Sequence, residues 1–139
     1  KIDEKDVEDL RNLIKTIPIN YFKAKNILIL NPDFGEGSRL VGGADADLIV
    51  DNMLIEIKTV KNLEFERSWL HQLIGYYVLS RIGKIKGTKK GFELDKFGIY
   101  YSRFGFLYIF EVNDIIKNVK IPEFIDWFKG KAEEYSNVI

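Results

Sequence analysis

The 139 residues are 46% hydrophobic and 14% aromatic, enough for one packed domain, and 1–139 reads as that single domain. No run approaches the roughly 18 apolar residues of a membrane span, and the charged start Lys1-Ile2-Asp3-Glu4-Lys5 shows no secretory leader. Cysteine is absent and histidine occurs once, which excludes disulfides and thiolate metal sites and fits a reducing, cytoplasmic setting, while 21 basic residues against 21 acidic ones leave no overall basic footprint for a polyanion.

The elements read α-β-β-β-α-β-β-α in chain order. Val7, Leu10, Leu13 and Ile14 form a helical stripe over Asp3 to Lys15, which Pro18 ends. Ile27 to Leu30 is a short strand stopped by Asn31-Pro32. Phe34 to Ser38 is a Gly-rich turn, and Arg39 to Val50 is a second strand that Gly42-Gly43 interrupts as a bulge. Asp51-Asn52 suits a two-residue hairpin loop into a third strand, Met53 to Val60. Leu63 to Ile82 reads as a long helix, and Gly87 to Lys96 as a loop. Gly98–Tyr101 and Phe106–Glu111 form an aromatic hairpin, and Pro122 opens a last helix to about Tyr135. The order gives a mixed central sheet flanked by helices, an α/β fold.

Charges interrupt the two central strands. With Asp51-Asn52 as the loop, Val50 faces Met53, Ile49 faces Leu54, Leu48 faces Ile55, and Asp47 faces Glu56. Opposed side chains share one face of a sheet, with Cβ atoms about 4.5–5.5 Å apart, and alternation puts Lys58 on that same face. Asp45, two residues before Asp47, falls there too and opposes Lys58, as an ion-pair partner or an additional acid. Carboxylates this close repel unless a cation neutralises them. Mg²⁺ is the natural one: it takes one or two carboxylates and retains waters that can be turned toward a phosphate. Asp47, Glu56 and the main-chain carbonyl of Ile57 are the candidate ligands, with Mn²⁺ as a substitute. Lys58 supplies a point charge for the attacking water and the phosphate. The alternative is that Glu56 and Lys58 are ordinary cross-strand charges on a solvated face.

Asp47 followed by Glu56-Ile57-Lys58 resembles the signature of the PD-(D/E)xK nuclease superfamily. Gln72-Leu73-Ile74-Gly75-Tyr76 on the next helix is similar to the Q-x-x-x-Y element of its exonuclease-type members. The likeness spans roughly residues 27 to 82, and Ala46 stands where the family's proline would precede the aspartate. It implies a restriction-endonuclease-like αβββαβ core and a Mg²⁺-dependent nuclease acting on nucleic acid, DNA favoured over RNA. Asp47, Glu56, Lys58, Gln72 and Tyr76 would be its catalytic set. A catalytically inactive nuclease-fold module, binding nucleic acid or a protein partner, is the second reading.

Remaining features are weaker. Arg81, Lys84, Lys86, Lys89 and Lys90 form a stretch without an acid, and with Arg39 they are candidate phosphate contacts, although lysines also favour helix C-termini. His71 reads as an exposed helix residue, and Trp69, Tyr100 and Tyr101 as core. The chain begins at Lys1 instead of Met, as a piece of a longer protein would, and a homodimer partner or an upstream domain would be the source of the positive surface this chain lacks.

Overall fold

Apolar residues alternating with charges from Leu48 to Lys58 build the centre of the sheet. The structure, a computed structural model, describes residues 2–136. Helix α1 (Glu4–Lys15) starts at Asp3, whose side chain accepts from the Lys5 N–H. A 3₁₀ turn (Ile19–Phe22) leads to β1 (Leu28–Leu30), a short helix α2 (Glu36–Leu40), β2 (Leu48–Val50) and β3 (Met53–Lys58). Then come α3 (Arg67–Gly83), β4 (Lys96–Tyr101), β5 (Phe106–Glu111), α4 (Val112–Ile116) and α5 (Ile121–Ser136).

The five strands lie in sequence order, antiparallel except for the parallel β3–β4 pair. That pair needs a crossover, and α3 supplies it. One sheet face packs Ile49, Leu54, Phe97 and Ile99 against Trp69, Leu73 and Tyr77 of α3. The other gathers Leu48, Val50, Ile55, Tyr100 and Leu107 beneath Phe22. The fold is therefore α/β with an open mixed sheet. No helix among the described residues is long and apolar enough to cross a membrane.

The hairpin register is the expected one: Val50 pairs with Met53, Ile49 with Leu54 and Leu48 with Ile55. The expected strand from Arg39 is not formed. Residues 36–40 are helical, and β2 begins only at Leu48. Glycine decides this locally: a Cβ on Gly37 would lie 2.3 Å from the Leu79 carbonyl oxygen, so α2 packs against α3 at backbone distance. The Ser38 hydroxyl closes the loop, accepting from the Phe34 N–H (2.8 Å) and donating to the Ala44 carbonyl (2.5 Å). Gly42-Gly43 is the exit from α2, with φ of 78° and 116°, instead of a bulge within a strand. The central helix starts at Arg67, later than Leu63, and α4 lies in a stretch with no sequence signal.

Candidate active site

Two backbone features create the site. The β2–β3 ladder stops at the Leu48–Ile55 pair, and the Asp47 side chain takes over from it: its Oδ2 accepts from the Ile57 N–H at 2.7 Å. In a strand, the N–H and C=O of one residue face the same neighbour. The Ile57 carbonyl is thus directed toward Asp47. Leu54, Glu56 and Lys58 share the face beneath α3, and Leu54 there is fully buried.

Glu56 is 4% exposed, which removes the solvated-face reading. Burial, then the Asp47 charge, hold its carboxyl above the ordinary glutamate range; Lys58 offsets part of that. Lys58 Nζ lies 3.2 Å from Glu56 Oε2 and donates to Gln72 Oε1 at 2.9 Å. An ammonium has only donors, so this contact fixes the orientation of the Gln72 amide. Its NH₂ then donates to the Tyr76 hydroxyl at 2.9 Å. The Tyr76 proton is left to point elsewhere. Desolvation raises the Tyr76 pKa first, and the charges of Glu56, Asp47 and Asp45 raise it further, so the phenol is a durable donor beside the acids.

Helical spacing explains the alignment. Trp69, Gln72 and Tyr76 are three and four residues apart on α3 and share a face. Trp69 lies under the lysine, its ring centroid 5.7 Å from Nζ, and Phe34 stacks on Tyr76 at 5.3 Å between centroids. Sequence reasoning assigned Trp69 to the core and missed its second role, although its distance of three residues from Gln72 carried that signal. Phe34, isolated between Asp33 and Gly35, carried none.

Asp45 is not the ion-pair partner of Lys58 that the register suggests. It pairs as an isolated antiparallel bridge with Asp33 and makes no ion pair with Lys58, whose partner is Glu56. Among the described residues no three acidic, histidine or cysteine side chains converge on one point. Asp47, Glu56 and the Ile57 carbonyl are the candidate donors, a set that would suit a hard cation retaining most of its waters. Of the candidate phosphate contacts, Arg39, Lys84 and Lys86 line one cleft together with Asp45. His71 is exposed, as expected. No family model, no curated protein and no solved structure matches the chain.

Proposed function

We propose that the chain is a Mg²⁺-dependent nuclease with a restriction-endonuclease-like core, hydrolysing phosphodiester bonds, in DNA by preference. The observation that carries this reading is the burial of Glu56 against a second carboxylate, with Lys58 bound to it. Desolvating such a group costs more than an apolar residue would, so stability does not account for it. A divalent cation does, because it removes the repulsion that burial has concentrated. When bound, the ion polarises a phosphoryl oxygen and lowers the pKa of its water. Asp47 and Glu56 would hold it, with the Ile57 carbonyl as a third protein ligand. Lys58 orients the attacking water and faces charge developing on the phosphate. Gln72 fixes the lysine amine, and Tyr76 donates its free proton to a phosphate oxygen or to the water.

The test is cleavage of linear, circular and single-stranded DNA and of RNA, with Mg²⁺ and with chelator, beside Lys58→Ala. Mg²⁺-dependent cleavage that Lys58→Ala reduces about 10²–10³-fold is expected. Cleavage that survives both chelation and Lys58→Ala would refute the mechanism.

A further inference from the structure

A cleft of about 860 Å³ opens beside Asp45, between the α2 loop and the end of α3. Its floor is a junction without side chains: a Cβ on Gly83 would lie 2.0 Å from the Phe34 carbonyl oxygen, and one on Gly35 would lie 2.8 Å from the Gly83 oxygen. Its walls carry Arg39, Lys84 and Lys86, with Asp33 and Asp45 on the side of the acids. Backbone contacts tie this wall to the acids. The Lys86 N–H donates to the Asp33 carbonyl at 3.2 Å, and Asp33 is the bridge partner of Asp45.

Arg39 is bound to Glu36, but among the described residues no carboxylate pairs with Lys84 or Lys86, and both are exposed. Lys84 has φ 64° and ψ 154°, a region that is essentially glycine's own. Glycine would hold this turn with less strain. A lysine nevertheless holds this conformation, on the lining of the cleft. The same loop continues through Lys89 and Lys90, which line an adjoining cleft with Lys84 and Lys86.

The opposite flank of the acid pair is different. Beyond Trp69, residues 59–67 carry Lys61 and Arg67 against Glu64 and Glu66, with no net charge. Cationic contacts position a nucleic-acid backbone without reading its bases. We infer that the Lys84–Lys86 cleft is a phosphate subsite gripping the strand on one side of the cut only, the side of Asp45. This rests on the nuclease reading and adds to it that substrate is held asymmetrically.

The test is anisotropy of a labelled single-stranded oligonucleotide with Ca²⁺ in place of Mg²⁺, read across a salt series, beside cleavage kinetics. Lys84→Ala with Lys86→Ala should weaken binding at least tenfold and lower the salt slope by about 1.4, two phosphate contacts at about 0.7 each. Lys5→Ala with Lys15→Ala, on α1, removes equal charge and should change neither. Lys84→Gly should weaken binding while raising Tm, which a purely structural lysine would not do. Shortening the strand on one side of the cut should raise KM, and shortening it on the other should not. Binding unchanged in the Lys84/Lys86 variant, equal length dependence on both sides, or no binding by the wild type overturns the subsite. The two proposals fail distinguishably: cleavage with unaltered KM in the lysine variant removes the subsite alone, whereas lysine-dependent binding without cleavage removes the hydrolase and with it the asymmetry about a cut, leaving only phosphate binding by the cleft.

Discussion

At Glu56 the hairpin sets a buried carboxylate against a second one, and the pH dependence of the metal-free protein follows. Its folded pKa lies above the unfolded value, so the folded state binds the proton more tightly. The contribution of Glu56 to stability is then fully present below the unfolded pKa and is lost as pH rises through the folded one. Glu56→Gln should therefore raise the Tm of the metal-free protein at neutral pH and flatten that part of its pH profile. Mg²⁺ should raise the Tm of the wild type but not of Glu56→Gln. Thermal melts between pH 4 and 8, with and without Mg²⁺, check both. Tyr76→Phe keeps the stacking on Phe34 and removes only the hydroxyl, so kcat should fall about tenfold, the worth of one hydrogen bond, with Tm nearly unchanged. Asp47, Glu56, Lys58, Gln72 and Tyr76 were legible beforehand because a two-residue loop fixes which side chains share a face, and a helix repeats that face every three to four residues. Asp45 was not: the register carries one residue past the Leu48–Ile55 pair, to Asp47, but not three, because Asp45 bridges to Asp33 instead.

Helix α2, like α4, is an element that sequence patterning missed. It spans Glu36–Leu40, too short for a repeating apolar stripe, and its position is set by Gly37 and Gly83 meeting a distant backbone. No local signal reports such a contact. Gly37→Ala should force α2 off α3, costing about 1–3 kcal/mol as overpacking does, and should displace Phe34 from Tyr76. Denaturant unfolding measures the first effect and Tyr76 fluorescence the second. The hairpin loop is anchored differently: the Asp51 carboxylate accepts from the N–H groups of Lys25, Asn26 and Ile27, which hold its pKa below the usual aspartate range. Its stabilising effect is present above the unfolded pKa and is lost as pH falls through the folded one. Asp51→Ala should lower Tm at neutral pH and lose less stability on acidification than the wild type does. Leu73, fully buried beneath the site, should cost about 2–5 kcal/mol as Leu73→Ala.

For the whole molecule, a net charge of zero argued against a polyanion partner, yet the sum conceals an arrangement. Acids crowd α1, while residues 84–90 after α3 carry Lys84, Lys86, Lys89 and Lys90 and no acid, Glu93 and Asp95 following only later in that loop. Association with nucleic acid should then be strongly salt-dependent despite the neutral total, because local phosphate contacts set that dependence. The α/β class, the mixed sheet and the β2–β3 register could be read from alternation and turn residues alone; the place of β4 beside β3 could not. The sequence marks Arg39, Lys84 and Lys86 as candidate phosphate contacts, but their meeting with Asp45 in one cleft could not be read, since that depends on the Asp33–Asp45 bridge and on the path of α3. The account as a whole depends on Asp47 and Glu56 gripping one divalent ion. Calorimetric titration of Mn²⁺ into the wild type, Asp47→Asn, Glu56→Gln and Lys58→Ala tests this most directly. Binding by the wild type and Lys58→Ala, lost in both acid variants, is the predicted result; no binding by the wild type, or binding undiminished without either carboxylate, would contradict it.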